Sequence, residues 1–397
     1  MTAAADRGDF SAVEAARRAE AAGHRCGFLG LVLAADLGVV ALPQPLAMVL
    51  SPLTWGTSAL CASAVVILQK RRLGAHKRLV VVDAGSGSTR CVCLGSRRCD
   101  GEVRVVAGPE RVPLRLGDAL KPGGDVDGWA GAVAAACDGL AGARVPVCVR
   151  GTAGARDALK ARGDKDLGAA SRDVEAILRG KRGGLSFAVL DGYAEARLEL
   201  AAVRFNRPGA GLFAGGGKSV QVASSPEDAR SFAIDSFAGH ELVRKHGAAA
   251  GARMHDWAVR RVVANELARD GGFARLDGAF STIELVSNTL ERAAAAGGGA
   301  VVRGPLARDA ARDAVAAYRA LLEKSLNPNP NVSARGSDDA EAVKQLVYAV
   351  QVAALLELLF EKTASFEVLP FKGTAATPTT NWALGLYLEQ REAGLPP

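Results

Sequence analysis

From residue 79 onward, short apolar and β-branched runs alternate with longer segments of helical periodicity, a pattern typical of an α/β fold. The short runs predict strands at 79–82, 89–94, 103–107, 145–149, 186–190, 211–214, 219–223, 231–234 and 366–369. The longer segments predict helices at 127–140, 152–162, 194–204 and 381–390, and a mostly helical stretch over 237–362. A strand, a glycine turn and a return strand occur at 80–94 and again at 211–223, which predicts two similar lobes.

The N-terminal part of the chain has a different pattern. Residues 27–42 are apolar except for Asp36, and residues 46–69 contain no charged residue. Because a bilayer core needs roughly 20 residues of helix, the second run predicts a membrane span. The first run, at 27–42, is a further membrane span, a re-entrant segment or an interfacial segment. A cleaved signal peptide is the alternative interpretation of this N-terminal region. The basic residues 70–72 favour a cytoplasmic location for the C-terminal end of the second run. The N-glycosylation tripeptide at 331–333 favours a lumenal domain, so the sequence does not decide on which side of the membrane the domain lies.

These patterns divide the chain into a tail (1–25), a membrane anchor (26–72), a first lobe (78–207, with a C-terminal helix at 378–391) and a second lobe (208–368). The net charge of +7 comes from scattered Lys and Arg residues and suits an anionic substrate. Only 5% of the residues are aromatic, so a base-stacking nucleic-acid surface is not expected. The seven Cys form no C-x-x-C pair, which argues against a zinc finger or a disulfide scaffold.

Two glycine-rich turns follow apolar strands. In the first, at 83–90, Gly85 and Gly87 allow backbone N–H groups to converge on an anion, and Ser86, Ser88 and Thr89 add hydroxyl donors. Asp83 can hold a divalent metal through its water ligands. The second turn, at 215–221, repeats the plan with Gly215, Gly216, Gly217, Lys218, Ser219 and Gln221. Neither has the Walker A spacing. Each alone is equally an ordinary hairpin turn, but the pair predicts a phosphate clamp.

The sequence resembles the ecto-nucleoside triphosphate diphosphohydrolase (apyrase) family of the actin/hexokinase/Hsp70-like ATPase superfamily. The resemblance rests on five motifs in the family's order, at 83–90, 151–156, 191–196, 215–221 and 236–244, and on a tryptophan helix at 381–385. The exopolyphosphatase family shares the loops and the glutamate, and residues 195–197 resemble its third motif too. The helix that contains Trp382 favours the apyrase family.

This resemblance implies two ribonuclease-H-like lobes around a central cleft, and a membrane-anchored hydrolase that releases the terminal phosphate of nucleoside tri- and diphosphates with Mg²⁺ or Ca²⁺. It also implies a place in the endomembrane or Golgi lumen or at the cell surface. Glu195 would be the general base, and Ser219 and Gln221 would orient the attacking water. The phosphates would be bound by both turns and by Arg90, Thr152 and Arg156, and the metal by Asp83. Taken alone, Glu195 is equally a solvated acid at a helix start, and Arg90 and Arg156 are equally surface ion-pair partners.

One departure from the family pattern concerns the second turn. Ala214 stands where the family has an aspartate that helps Asp83 to hold the metal's water shell, and Lys218 stands where the family has a small residue. The lysine is a hypothetical direct phosphate ligand that replaces part of the metal charge. Three functions therefore remain open: an active apyrase, an exopolyphosphatase-like enzyme, and a nucleotide-binding relative with impaired catalysis.

Overall fold

The structure, a computed structural model, describes residues 76–85, 87–97, 102–161, 167–269, 275–297, 305–326, 337–368 and 381–394. The predicted anchor at 26–72, the tripeptide at 331–333 and Ser86 lie outside these residues. The chain divides into two compact units, Met1–Lys77 with Ser96–Val103, and Arg78–Gly95 with Arg104–Pro397. The candidate site described below lies entirely in the second of these units.

The described residues form strands and helices in alternation. The strands are β1 (His76–Ala84), β2 (Thr89–Arg97), β3 (Val103–Val112), β4 (Val147–Gly151), β5 (Leu185–Val189), β6 (Gly211–Gly215), β7 (Val220–Ala223), β8 (Arg230–Phe232), β9 (Ala279–Ile283), β10 (Leu306–Ala307) and β11 (Ser365–Val368). The helices are α1 (Leu116–Ala119), α2 (Val126–Ala141), α3 (Ala153–Ala161), α4 (Leu167–Lys181), α5 (Gly192–Asn206), α6 (Ser236–His246), α7 (Ala248–Arg269), α8 (Glu284–Ala296), α9 (Arg308–Leu326), α10 (Ser337–Leu359) and α11 (Trp382–Glu392).

The strands form two sheets with the same internal order. The first sheet runs β3-β2-β1-β4-β5, and the second runs β10-β11-β9-β6-β7-β8. Read from β8, the second sheet therefore repeats the first, with β6 in the place of β1 and β7 in the place of β2. In both sheets the central strand pairs in parallel with the next strand of the core, β1 with β4 and β6 with β9. The structure thus contains two sheets of similar strand order, in agreement with the duplicated strand–turn–strand pattern of the sequence.

The central strand of each sheet is buried on both faces, which explains its continuous apolar sequence. Leu79, Val80, Val81 and Val82 of β1 are all fully buried, as are Leu212, Phe213 and Ala214 of β6. Cys91 and Cys93 on β2 are also fully buried, as expected for core residues. Each sheet has its own large apolar core, and the core beside the second sheet includes the aromatic cluster of Phe213, Phe280, Phe360 and Phe366.

The stretch over 237–362 is mostly helical, as predicted, but it also contains the short strands β9 and β10, which the sequence did not predict. Residues Ala279–Ile283 pair in parallel with both β6 and β11, and Phe280–Ile283 are buried. The Phe-Ser-Thr-Ile sequence is short, lies between helices and does not alternate between apolar and polar residues, so it gives no strand periodicity. Helix α4 was not predicted at all. Strand β9 acquires its partners through contacts that are distant in sequence, whereas α4 packs mainly on β5, which follows it directly, and on α2.

Helix α11 packs along α5, and α10 lies inside the core beside the second sheet. A Cβ at Gly385 of α11 would overlap the carbonyl oxygen of Leu198 of α5, so only glycine permits this approach of the two backbones. Within the described residues one helical segment, Ala340–Leu359, is long and apolar enough to cross a membrane, and 72% of its apolar window is buried. Leu346, Val350 and Leu355 of this segment pack into the core with α7 and α9.

Candidate active site

The two glycine turns border one cavity of about 490 Å³. The carboxyl ends of β1 and β6 point to this cavity, as expected for ligand sites at the ends of parallel strands. Most of the predicted site residues line it: Asp83, Gly85, Gly87, Ser88, Arg90, Thr152, Glu195, Gly215, Gly216, Gly217, Lys218 and Ser219. Thr89, Arg156 and Gln221 were also predicted, but they lie behind the cavity wall.

Both turns close in the same way. The N–H of Gly85 donates to the carbonyl oxygen of Ser88 at 3.0 Å, and the N–H of Gly216 donates to that of Ser219 at 2.8 Å. At Gly85, a Cβ would lie 3.3 Å from the Ser88 carbonyl oxygen, so the tight closure favours a residue without a side chain. At Gly217 it would lie 3.0 Å from the Phe237 ring. Two turns of like geometry therefore face one space.

Thr89 does not belong to the phosphate-binding set that the sequence predicted. Its side chain is fully buried, and its Oγ1 accepts a hydrogen bond of 3.2 Å from Nε1 of Trp129 on α2. The residue is the first of β2, so the pleat turns its side chain away from the turn and into the core of the first sheet. Thr89 therefore anchors the turn instead of contacting a ligand. The neighbouring Arg90 is exposed and lines the cavity.

Glu195 lies in the first turn of α5, which Asp191 caps by accepting a 2.7 Å hydrogen bond from the N–H of Ala194. Only 7% of Glu195 is exposed, and its Oε2 lies 3.2 Å from Nη1 of Arg156. Burial raises the pKa of Glu195, and Arg156 opposes part of this rise. A carboxylate that is fixed beside this cavity and has a raised pKa is suited to act as a general base.

Arg156 was predicted to bind phosphate, and the structure places it differently. Its guanidinium group bridges Glu195 and the carbonyl oxygen of Leu190, at 3.2 and 2.5 Å. It does not line the cavity, because α3 presents it to the start of α5. Arg156 therefore positions the carboxylate of Glu195. Both hydrogen bonds are donated by Nη1 of Arg156.

Ser219 and Gln221 are coupled side chains on the return strand of the second turn. Nε2 of Gln221 donates a hydrogen bond of 2.8 Å to Oγ of Ser219. Both residues are buried, with 2% of Gln221 and 6% of Ser219 exposed. Ser219 lines the cavity, whereas Gln221 lies behind it. Gln221 can therefore orient the hydroxyl of Ser219 toward a ligand, but it does not reach the ligand itself.

Lys218 joins the second turn to helices of both sheets. Its Nζ lies 2.7 Å from Oδ2 of Asp235, the residue that caps α6, and 3.3 Å from Oδ2 of Asp157 on α3. Burial lowers the pKa of Lys218, but the hydrogen bonds and charges of Asp235 and Asp157 outweigh that effect and raise it. Lys218 is thus a permanent cation at the cavity. Its charge acts on a phosphate while it is also paired with Asp157 and Asp235.

Two acids of the site were missed by sequence reasoning. Glu284 lines the cavity at the start of α8, and Glu199 is 1% exposed on α5, one helical turn after Glu195. Burial raises the pKa of Asp83 to about 7, with a further contribution from Glu195. Burial, followed by the charges of Asp83 and Glu195, raises the pKa of Glu284 to about 8. The signal for Glu284 was available, because an acid directly follows a short β-branched run there, as at Asp83.

These carboxylates fit a hard divalent cation. Oxygen ligands suit Mg²⁺ and Ca²⁺, and Oε2 of Glu199 is buried without a hydrogen-bond partner in the described part of the chain. No group of three His, Cys, Asp or Glu among the described residues is placed to hold an ion directly. A cation bound here would therefore keep much of its water, as Mg²⁺ commonly does. Ala214 contributes no ligand, since it is buried among Ala196, Leu200 and Ile283.

Several further cavity residues come from the second half of the chain. Lys344 and Tyr348 lie one turn apart on α10, and Phe237 begins α6 with 43% of its surface exposed. Arg111 of β3 also lines the cavity. With Arg90 and Lys218 these residues give the cavity a basic wall with two aromatic side chains. Nothing in the local sequence around them identified this grouping.

No protein-family model matches the sequence, and no curated protein matches it either. Solved structures match the fold. The PPX-GPPA enzyme of Aquifex aeolicus is 14% identical, covers 79% of this chain and 100% of its own, and has a TM-score of 0.51. An exopolyphosphatase from Cytophaga hutchinsonii is 15% identical, with 80% and 99% coverage and a TM-score of 0.51. A nucleoside triphosphate hydrolase from Neospora caninum is 12% identical, with 84% and 96% coverage and a TM-score of 0.52. At these identities the likeness shows the fold alone.

Proposed function

We propose that this protein is a phosphoanhydride hydrolase of the exopolyphosphatase type, which releases the terminal phosphate of a polyphosphate chain by attack of water. One observation carries the proposal. Two glycine turns with the same hydrogen-bonded closure border a single cavity that also contains the half-buried Asp83 and the buried Glu195. Converging N–H groups and hydroxyls bind anionic oxygens, and a carboxylate beside them is suited to deprotonate water.

The residues divide the work by their positions. The turn amides with Ser88 and Thr152 bind the terminal phosphate, and Ser219, oriented by Gln221, positions the water. Glu195 accepts the proton of that water, while Arg156 fixes the carboxylate. A divalent cation held near Asp83 would neutralise charge on the phosphate oxygens. Catalysis of this kind depends mainly on positioning and charge stabilisation, which a preformed cavity provides.

The cavity wall favours polyphosphate over a nucleotide. Arg90, Arg111, Lys218 and Lys344 supply four cationic groups around one space, which suits a ligand that consists of phosphate throughout. Two of the matched structures are described as exopolyphosphatase or PPX-GPPA enzymes. The apyrase interpretation rests on a membrane anchor outside the described residues and on the helix that begins at Trp382, a buried residue that lines the cavity.

A nucleoside triphosphate is the second candidate substrate, favoured by a specific observation. Phe237 and Tyr348 line the cavity, and an exposed aromatic face can stack on a nucleobase. The matched protein of Neospora caninum is described as a nucleoside triphosphate hydrolase. The predicted membrane anchor remains part of this second proposal.

Phosphate release by the full chain tests the proposed function. The assay compares polyphosphate of defined length with ATP and ADP, each with Mg²⁺, Ca²⁺ or chelator. We expect turnover of polyphosphate, and a loss on the order of 10²–10⁴-fold in Glu195→Gln. Glu266→Gln is the matched control, because Glu266 pairs with Arg269 on α7 outside the cavity. Nucleotide turnover that exceeds polyphosphate turnover would favour the second candidate, and full activity of Glu195→Gln would remove Glu195 as the base.

A further inference from the structure

The ends of two adjacent parallel strands differ in what they present to the cavity. In the pairing of β6 with β9, Ala214 lies beside Ile283, and the next pair joins Gly215 with Glu284. The end of β6 supplies no carboxylate, because Ala214 is fully buried among apolar side chains. The end of β9 does supply a carboxylate, that of Glu284, which lies on the neighbouring strand's side and one residue beyond the level of Ala214. Glu284 lines the same cavity as Asp83.

Glu284 and Asp83 line one cavity from the ends of strands in the two different sheets, and Glu195 and Arg90 line it with them. Glu284 also has a φ of 55°, a left-handed conformation that glutamate rarely adopts. Such an outlier at the start of a helix commonly accompanies a functional constraint.

Glu199 provides an independent observation that points to a ligand. Its side chain is 99% buried, and its Oε2 has no hydrogen-bond partner among the residues that the structure describes. Glu199 lies one helical turn after Glu195 on α5, and it is close enough to Glu284, Glu195 and Asp83 for their charges to act on its carboxylate. A buried carboxylate without a partner is costly, and a bound cation or its water molecules would remove that cost.

We infer that Glu284 and Asp83 together bind the divalent cation of this site, with Glu199 behind them as an acceptor for its water ligands. The inference deepens the proposed function and rests on it for the role of the cation in hydrolysis. The carboxylate that Ala214 does not provide is thus supplied from the neighbouring strand. Because the acids belong to β1, α5 and the start of α8, the cation would also join elements of both sheets.

Binding of Mn²⁺ to the full chain in the absence of any substrate tests this assignment, by electron paramagnetic resonance of free Mn²⁺ and by competition with Mg²⁺. We expect one site per chain in the native protein. Glu284→Gln and Asp83→Asn should each weaken binding at least tenfold, the effect of losing about 1.4 kcal/mol. Glu199→Gln should weaken it less, because Glu199 acts through water. Glu291→Gln on the same helix α8 should bind Mn²⁺ normally.

The outcomes separate the cation site from the proposed function. Native affinity in Glu284→Gln, or no Mn²⁺ site in the native protein, would overturn the inference. If Glu284→Gln loses the Mn²⁺ site but the native protein hydrolyses none of the phosphate substrates, the assignment of the cation site stands and the proposed function is rejected. Thermal unfolding without metal verifies that Glu284→Gln is folded. If it is not, the comparison of Asp83→Asn and Glu199→Gln with Glu291→Gln decides the question.

Discussion

Nη1 of Arg156 lies 3.2 Å from Oε2 of Glu195, and only 14% and 10% of the two side chains are exposed. The pair connects α3 with the first turn of α5, so two helices that follow different strands fix the position of one carboxylate. A buried ion pair of this kind is strongly destabilised when one partner is removed, because the other charge is left without compensation. Glu195 is consequently oriented before any substrate binds.

Removal of Arg156 should change the pH dependence of hydrolysis. In Arg156→Gln the opposing charge is lost, so burial raises the pKa of Glu195 further. The base then remains protonated to higher pH, and the acidic limb of the pH–rate profile should move upward. Rates measured across the pH range test this, with Arg179→Gln at a surface ion pair as control. An unchanged acidic limb would contradict the role of Glu195 as base.

Replacement of Lys218 separates its structural contacts from a contact with phosphate. Its partners Asp157 and Asp235 are largely exposed, so Lys218→Ala should lower the free energy of unfolding by about 1 kcal/mol or less. If its charge also acts on the substrate, KM should rise about tenfold, equivalent to about 1.4 kcal/mol. Asp157→Asn is the control, since it removes one partner but retains the cation. Equal KM values for Lys218→Ala and the native protein would limit Lys218 to the ion pairs.

Thr89 should be required for stability and not for substrate binding. Thr89→Val retains the shape of the side chain but leaves Nε1 of Trp129 without an acceptor, which costs about 1–3 kcal/mol. Thr89→Ser retains the hydroxyl and should unfold at nearly native denaturant concentration. Urea unfolding and KM measurements on both variants check this. A large rise of KM in Thr89→Val without loss of stability would restore Thr89 to the phosphate-binding set.

The contact of α11 with α5 should be intolerant of a single methyl group. Gly385→Ala would overlap the carbonyl oxygen of Leu198, and the overpacking should cost about 1–3 kcal/mol. Activity should fall as well, because α5 positions Glu195. Gly131→Ala on α2 is the matched control, since its Cβ would meet nothing within 4 Å. That change should stabilise the helix by about 0.5–1 kcal/mol. Chemical unfolding of the two variants measures both effects.

His255 should make the protein sensitive to acid. The imidazole is 2% exposed, and burial, followed by the charge of His240, lowers its pKa from 6.5 to about 4, while Asp256 and Asp235 act in the opposite direction. As the pH falls below 6.5, the imidazole of His255 binds a proton in the unfolded chain, whereas in the folded protein it stays neutral until the pH approaches 4. This contribution to stability is therefore present above pH 6.5 and should decrease by about 2 kcal/mol at pH 5. Unfolding curves at pH 7.5 and 5 should show a smaller loss in His255→Leu than in the native protein.

The local sequence pattern was sufficient to predict the positions of those strands and helices that begin and end with clear signals. The apolar run 79–82, the return strand after Gly87 and the helix that follows Asp191 all lie close to their predicted positions. Strand β9 was not recognised, because five residues between helices are too few to establish a period of two. Its pairing with β6 and β11 was decided by the core that surrounds it.

The sequence by itself determined the two glycine turns, Asp83 and Glu195 as acids of the site and the duplicated order of elements, because these depend on residue types at short spacings. Only the tertiary structure decided that Thr89 faces Trp129, that Arg156 holds Glu195 and that Glu284 reaches the cavity beside Asp83. Each of these facts depends on the direction of a side chain from an element whose neighbours are distant in sequence. Pleat, register and packing set that direction, and no local pattern encodes it.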